Sequence, residues 1–279
     1  MPAYLRPTTQ SEALAALAQG RLTVLAGGTD YYASKVGKPL SDAILDITAI
    51  ASLRGIRDDG SHWRIGATTS WSELIAADLP PLFDGLKLAA RELGGVQVQN
   101  AGTLAGNLCN ASPAADGVPP LLALDARVEI ADAGSSTSVA LADFILGNRR
   151  TLLRPDQLLT AILIPKPAHA ARSHFIKLGA REYLVVSIVI VAATLEIDAG
   201  RVSAARVAVG AASPVAQRLP ILETLLAGQR CDAGLGGHAK LEHLAPLAPI
   251  DDVRASREYR LDAGLALVRR VLSELGARA

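Results

Sequence analysis

The chain has 279 residues, a formal net charge of +1 and two cysteines. Its 50% hydrophobic and 20% charged residues are typical of a compact folded protein and exclude a largely disordered chain. A nearly neutral chain without a basic cluster excludes nucleic acid as a partner, and two cysteines with scattered histidines cannot supply the roughly four protein ligands of an iron–sulfur cluster or a structural zinc.

The first residues, M-P-A-Y-L-R-P, lack the apolar segment of an export signal. The longest apolar run, at residues 185–195, is shorter than the about 20 residues that cross a bilayer. We therefore expect no transmembrane segment and a cytoplasmic location. The length of the chain predicts two domains, each with its own core.

Helix and strand patterns alternate along the first half of the chain. Thr9 followed by Glu12, and Ser70 followed by Glu73, have the spacing of a capping box, so a helix is expected to begin after each. The first of these helices is expected to end at Gly20. Further helices are predicted at 81–93 and 119–124, and short strands at 22–26, 43–47, 63–67, 127–131 and 158–164.

The second half predicts an antiparallel sheet with helices packed on it. Two β-branched runs flank the turn-forming segment at residues 198–201, which indicates a hairpin. Strands joined by tight turns and followed by amphipathic helices favour an α+β arrangement. The predicted strands cover 173–177, 187–197 and 202–209, and the predicted helices cover 219–226 and 256–275.

A polar but uncharged stretch lies at residues 96–116. It contains three Asn and two Gln but no Lys, Arg or Glu, so it has hydrogen-bonding capacity without charge. Gly102 and Gly106 permit close approach of the backbone, and Thr103 and Asn107 with nearby amides are suited to an anionic, polyhydroxylated ligand such as a dinucleotide pyrophosphate. The alternative is a buried turn of a β-rich domain. Both interpretations predict a loop.

The familiar nucleotide-binding motifs are missing. The only G-x-G-x-x-G/A match, at residues 234–239, does not follow an apolar strand, so we interpret it as an ordinary loop, and no P-loop sequence occurs. A nucleotide site would therefore have to come from two separate glycine turns. These are the turn at residues 27–30, which follows a predicted strand, and the stretch at 96–116.

Several motifs in fixed order carry a resemblance to one family. The sequence resembles the FAD-binding, or medium, subunit of the molybdenum hydroxylases, which include carbon monoxide dehydrogenase-like and xanthine dehydrogenase-like enzymes. The resemblance covers nearly the whole chain. Its motifs are L-A-G-G-T-D at 25–30, G-A-T-T at 66–69, N-A-G-T-L-A-G-N at 100–107, N-A-S-P-A-A-D at 110–116, D-Q-L-L at 156–159, F-I-K-L-G-A-R at 175–181, V-A-V-G-A at 207–211 and I-D-D-V-R-A-S-R-E-Y-R at 250–260.

The resemblance implies a fold and a domain division. The fold is α+β, with a two-subdomain FAD-binding domain of the vanillyl-alcohol-oxidase-like kind and a small C-terminal domain with an antiparallel sheet. The FAD-binding domain would span residues 1–167, with subdomains at about 1–55 and 56–167. The C-terminal flavoprotein domain would span 168–279, and the Pro-rich segment at 165–167 would separate the two.

The resemblance also assigns residues to FAD. Residues 24–31 would form the first pyrophosphate loop and residues 103–107 the second, while Asp116 would accept hydrogen bonds from sugar hydroxyls. Leu159 would pack on the isoalloxazine, and Lys177 would approach its polar edge, where a cation raises the flavin potential. The residues expected at the cofactor are Val24, Leu25, Ala26, Gly27, Gly28, Thr29, Asp30, Tyr31, Asn100, Ala101, Gly102, Thr103, Gly106, Asn107, Asp116, Leu159 and Lys177.

Simpler interpretations stand beside several of these assignments. Lys177 is alternatively a strand residue whose ammonium group extends into solvent. Arg181, which would assist Lys177, is alternatively part of a surface ion pair. Cys109 is expected to be a small buried residue without a redox role. Tyr183 is bulkier than the residue that many relatives carry there, which implies a shielded or altered flavin face.

The activity that the resemblance implies needs other chains. A molybdopterin-binding large subunit would hydroxylate the substrate, and a small subunit with [2Fe–2S] clusters would pass electrons to the FAD of this chain. NAD, a quinone or O2 would then accept them. No catalytic acid or base is required here. The alternatives are a self-sufficient FAD-dependent oxidase with its own substrate, and a scaffold that has lost its flavin.

Overall fold

The computed structural model of the chain describes residues 3–181 and 185–278, so Tyr183 lies outside the described residues. The chain folds into two compact units. Unit 1 comprises Met1–Ala77, Val96–Ala111 and Ala126–Ile164, and unit 2 comprises Asp78–Gly95, Ser112–Asp125 and Pro165–Ala279.

Unit 1 contains a small parallel sheet. The strands lie in the order β1-β3-β2 and both pairings are parallel. Helix α1 packs on this sheet because Ala13, Leu14 and Leu17 recur on one helical face and join Leu45 in a buried apolar cluster. The elements are β1 Tyr4–Leu5, α1 Gln10–Gln19, β2 Thr23–Leu25, α2 Thr29–Ser34 and β3 Ile44–Asp46.

The rest of unit 1 is built on a five-stranded sheet in the order β4-β5-β10-β6-β7. Short helices follow β5, and a two-stranded ribbon precedes β10. The strands are β4 Ile56–Asp58, β5 His62–Gly66, β6 Arg127–Ala131, β7 Ser136–Ala140, β8 Ile145–Gly147, β9 Arg150–Thr151 and β10 Leu158–Pro165, and the α-helices in this part of the unit are α3 Trp71–Ala76, α5 Val96–Ala101, α6 Leu104–Asn110 and α8 Leu141–Phe144.

Unit 2 is a four-stranded antiparallel sheet in the order β11-β12-β13-β14. One face of β12 and β13 carries Val and Leu side chains that form a core with helices α9 and α10. The elements are α4 Asp84–Glu92, α7 Val118–Ala123, β11 Ala170–Leu178, β12 Val189–Asp198, β13 Arg201–Gly210, β14 Gln217–Arg218, α9 Pro220–Leu226 and α10 Arg257–Ala277.

Many of the predicted elements are confirmed, including the α+β class. Thr9 and Ser70 both form capping boxes with the Glu three residues later. The hairpin is confirmed by the pairing of Asp198 with Arg201 across a turn in which Ala199 and Gly200 have φ values of +46° and +73°. Residues 233–238 form a short 3₁₀ helix, in agreement with an ordinary loop rather than a dinucleotide turn.

The prediction of a loop at residues 96–116 is wrong, because most of this stretch is helical. Thr103 adopts an extended backbone, and its hydroxyl accepts the Gly106 amide, which is the arrangement of an N-cap. Leu104 and Leu108 are buried at helical spacing and hold α6 against the core of unit 1. The three Asn and two Gly of the stretch favour a loop, and the sequence pattern does not show the cap at Thr103 or the burial of the two leucines.

None of the helices among the described residues is long and apolar enough to cross a membrane.

Candidate functional site

The glycine turn at residues 27–30 packs against the end of α5. A Cβ added to Gly27 would lie 2.0 Å from the carbonyl oxygen of Ala101 and 2.8 Å from the Cα of Gly102. No residue larger than glycine fits at position 27 without moving this backbone. The structure therefore brings together the two glycine segments that the sequence analysis singled out.

Helix α2 begins at the same turn. Its N-cap, Gly28, has φ +69°, a left-handed conformation that favours glycine, and a Cβ there would lie 2.8 Å from the ring of Tyr32. Since no side chain caps α2, the amides of its first turn lack the hydrogen bond that a capping side chain would accept. Amides at a helix start bind phosphate oxygens.

The start of α6 is fixed by backbone contacts with the segment after β5. The Trp71 amide donates to the Gly102 carbonyl at 3.2 Å, and the Leu104 amide donates to the Thr69 carbonyl at 3.3 Å. The Thr103 hydroxyl accepts the Gly106 amide at 3.0 Å. The G-A-T-T motif at 66–69 thus supports the second glycine segment, and the Thr103 oxygen is already used as a cap.

Polar residues of the predicted pyrophosphate segments also have protein partners. The Tyr31 hydroxyl donates to Asp42 at 3.0 Å, and Lys35 pairs with the same carboxylate at 2.7 Å. Partial burial, followed by the Asp42 carboxylate, raises the pKa of Tyr31. Asn100 accepts a hydrogen bond from Ser72 at 2.5 Å. These side chains order the segments, so the groups best placed for a phosphate are backbone amides.

Leu159 lies at an irregularity of β10. It pairs with Ile130, and the register then shifts before Ala161. A bulge of this kind redirects side chains and is common next to functional sites. Leu159 is 2% exposed in the core of unit 1.

Within unit 2, Lys177 and Asp116 form a buried ion pair. The Lys177 ammonium lies 3.3 Å from Asp116 Oδ2 and donates to the Glu92 carbonyl at 2.9 Å. Its side chain is 3% exposed, so the alternative of a lysine that extends into solvent is wrong. The carbonyl of Glu92 and the carboxylate of Asp116 make this burial possible, because a buried cation has to be paired.

The Asp116 carboxylate has a second protein partner. The Ser187 hydroxyl donates to its Oδ1 at 3.2 Å. Burial raises the pKa of Asp116, while Lys177 and Ser187 oppose that rise. Two carboxylate oxygens offer about four acceptor positions, so the carboxylate can still accept a hydrogen bond from a ligand hydroxyl beside those from these two partners.

A cavity of about 590 Å³ lies beside Lys177 in unit 2. Positive side chains outnumber negative ones in its wall. The lining residues are Leu88, Arg91, Glu92, Lys177, Leu178, Gly179 and Arg181.

The residue Cys109 is exposed, whereas the surrounding protein desolvates its thiol and raises the pKa of that thiol to about 12, so the expectation of a buried cysteine holds only for the thiol group. The buried face of α6 consists of Leu104, Ala105 and Leu108, and position 109 falls outside it. Among the described residues there is no group of three or more His, Cys, Asp or Glu able to hold a metal ion.

Comparisons with known proteins agree with this architecture. Residues 1–167 match the family model described as FAD binding domain in molybdopterin dehydrogenase, and residues 174–275 match CO dehydrogenase flavoprotein C-terminal domain. The xanthine dehydrogenase FAD-binding subunit of Escherichia coli O157:H7 is 31% identical over 283 residues, with 99% of this chain and 96% of the relative covered. The carbon monoxide dehydrogenase medium chain of Hydrogenophaga pseudoflava is 27% identical, with coverage of 99% and 97%.

Solved structures show the same fold. A reconstituted CO dehydrogenase from Oligotropha carboxidovorans matches with a TM-score of 0.90 at 26% identity and covers 100% of this chain and 99% of its own. The quinoline 2-oxidoreductase of Pseudomonas putida 86 matches with a TM-score of 0.88 at 25% identity, with coverage of 99% and 97%.

Fold, glycine segments and comparisons together define a flavoprotein subunit of an oxidoreductase. The chain belongs to the family of FAD-binding subunits of molybdopterin-dependent dehydrogenases, as the sequence resemblance indicated. FAD is the cofactor of its N-terminal domain.

Two supporting contacts had no signal in the sequence. Ser187 lies on a run interpreted only as a strand, yet its hydroxyl contacts Asp116. Glu92 contributes its carbonyl, which any residue type would supply. Both are contacts between residues far apart in the chain, and a pattern of residue types does not show them.

Proposed function

We propose that this chain receives electrons from the [2Fe–2S] clusters of a small partner subunit and passes them through FAD to an external acceptor. Bound FAD supplies the electron-transfer chemistry, and the chain supplies binding, orientation and tuning. A molybdopterin-binding large subunit would complete the assembly. Relatives named as medium chains, together with the molybdenum named in the titles of matching structures, support this organisation.

The observation that carries the proposal is the contact between Gly27 and Ala101. It places the uncapped start of α2 beside the segment that leads into α6, within one unit. We propose that residues 24–31 and 103–107 hold the FAD pyrophosphate, with amides at the uncapped start of α2 as the donors. Backbone amides are suited to this task because no cationic side chain lies in either segment.

The remaining assignments keep the roles that the resemblance gave them. Asp116 would accept hydrogen bonds from FAD hydroxyls, Leu159 would pack on the isoalloxazine, and Lys177 would present a positive charge to it. The buried pair of Lys177 and Asp116 supports a tuning role, since the electrostatic potential that such a pair produces nearby depends on how closely its members are held. NAD, a quinone or O2 stays the proposed acceptor, and a cytoplasmic location stays a prediction.

The assembly is tested by purification of the tagged chain from cells that produce it naturally. We expect molybdenum, iron and FAD in constant ratio, together with one larger and one smaller subunit. A chain that is purified alone with FAD, and that oxidises a small substrate without molybdenum or iron, would instead establish the self-sufficient oxidase.

A further inference from the structure

Arg260 is a buried arginine in the motif at residues 250–260, for which the proposed function gives no role. It lies in the first turn of α10 and is 1% exposed. Its guanidinium donates to the Asp252 carboxylate at 2.6 Å, to the Ile188 carbonyl at 2.6 Å and to the Ala211 carbonyl at 2.9 Å. A buried charge with three partners on separate segments fixes those segments relative to each other.

Both carbonyls belong to segments that hold the loop carrying Asp116. Ile188 follows Ser187, whose hydroxyl donates to Asp116 at 3.2 Å. The Ala211 amide donates to the Pro113 carbonyl at 3.1 Å. Arg260 therefore holds both segments that contact the loop: it binds Ile188, the neighbour of Ser187, and it binds Ala211 itself.

The backbone at Ala211 shows how firmly this arrangement is held. Ala211 has φ +61°, in the left-handed region that an alanine rarely occupies. Its carbonyl is bound by Arg260 and its amide by Pro113. Such a conformation persists where the surrounding contacts determine it.

Asp252 keeps the guanidinium in place. Burial acts to raise the pKa of Asp252, but hydrogen bonds from Arg254 and Arg260 outweigh it and hold that pKa well below its usual range. Asp252 thus stays ionised and supplies the counter-charge for Arg260. The contacts thus run from Asp252 through Arg260 to the segments that hold Asp116, and Asp116 in turn lies 3.3 Å from the ammonium of Lys177.

We propose that Arg260 is a positioning residue that holds Asp116 against Lys177 and thereby sets how much of the lysine charge is presented to the flavin. The proposal rests on the assignment of Asp116 and Lys177 to FAD made under the proposed function. If the contact loosens, Asp116 neutralises Lys177 less completely. The extra positive charge then favours the reduced flavin and raises its midpoint potential.

The test is a spectroelectrochemical titration of the FAD-loaded assembly, followed at the flavin absorption band. Arg260→Lys keeps the charge but loses the planar fork, in which one nitrogen donates to both carbonyls and the other to Asp252. We expect it to raise the ratio of reduced to oxidised flavin at a fixed potential roughly tenfold, or about 30 mV for a two-electron couple. Asp116→Asn is expected to shift the potential in the same direction, and Lys177→Met in the opposite one.

A double variant and a matched control make the test specific. In the Asp116→Asn background, Arg260→Lys should cause no further shift, because the two changes act through one contact. Arg269→Lys is the control. Arg269 lies on the same helix and also donates to a carbonyl, that of Ala239 at 3.0 Å. That hydrogen bond does not involve the loop that carries Asp116, so the flavin potential of Arg269→Lys should equal that of the unchanged protein.

Ser187→Ala covers the possibility that Arg260→Lys does not fold, since it removes only the hydroxyl that reaches Asp116. It should also raise the potential. Unchanged potentials in Ser187→Ala and in any folded Arg260→Lys, beside shifted ones in Asp116→Asn and Lys177→Met, would overturn the positioning role and leave the flavin assignment intact. Unchanged potentials in all four would overturn the flavin assignment and this inference with it.

Discussion

Gly27 touches the backbone carbonyl of Ala101 so closely that a Cβ at position 27 would lie 2.0 Å from the oxygen. The contact joins the turn after β2 to the end of α5, the two segments assigned to the FAD pyrophosphate. It also means that protein packing alone demands glycine at this position. Packing therefore requires glycine at position 27 whether or not FAD is bound.

Gly27→Ala should separate the two segments. An extra methyl group in a fully packed contact costs about 1–3 kcal/mol of unfolding free energy, and FAD content should fall with it. Denaturant unfolding and the flavin-to-protein absorbance ratio measure both effects. Gly20→Ala is the control, because nothing lies within 4 Å of a Cβ there. Equal stability and flavin content in the two variants would show that the contact at Gly27 is unimportant.

Thr103→Ala should weaken FAD binding through the start of α6. Loss of an N-cap costs about 1 kcal/mol and frees the Gly106 amide from its cap. Thr9→Ala is the matched variant, since Thr9 caps α1 with the same geometry. The two substitutions should destabilise to a similar extent, but only Thr103→Ala should raise the dissociation constant for FAD. Equal FAD affinities would remove α6 from the cofactor site.

Lys177→Met should be destabilising because it leaves Asp116 buried without its cation. Breaking a buried ion pair by removal of one partner costs about 3–5 kcal/mol. In the double variant with Asp116→Asn the loss of unfolding free energy should be smaller, because both charges are then removed and no unpaired charge stays buried. Chemical denaturation of the three variants gives the coupling energy. Purely additive losses would mean that the 3.3 Å contact contributes nothing.

Asp116 should make the stability of the chain fall as pH rises. Burial raises its pKa in the folded state, so the folded chain retains a proton that the unfolded chain releases above pH about 4. Its stabilising contribution is complete below that pH and is lost as pH rises through the folded pKa. Urea unfolding at a series of pH values should show this decline in the unchanged chain and a flatter profile in Asp116→Asn. Parallel profiles would mean that the pKa of Asp116 is not raised.

Local signals in the sequence were sufficient for much of the fold. The capping box of Thr9 and Glu12 and the turn at Ala199 and Gly200 are decided by residues within a few positions of each other, and both are confirmed. The prediction of a loop at 96–116 is wrong because α6 depends on burial of Leu104 and Leu108 in unit 1, and the Asn and Gly content of the stretch does not show that burial.

The connections within unit 2 lay beyond such signals. Arg260 contacts a carbonyl 72 residues away, and Ser187 contacts Asp116 71 residues away. Backbone carbonyls carry no residue identity, so these partners emerge only once β12 and β13 are paired. The motif at 250–260 carries part of the family resemblance, but its residue types do not show which groups Arg260 contacts.

The measurement that tests the central claim most directly is the absorption spectrum of the purified chain before and after denaturation. The account predicts a flavin spectrum from the folded chain and release of stoichiometric, non-covalent FAD when it unfolds. A colourless chain that takes up no added FAD would contradict it.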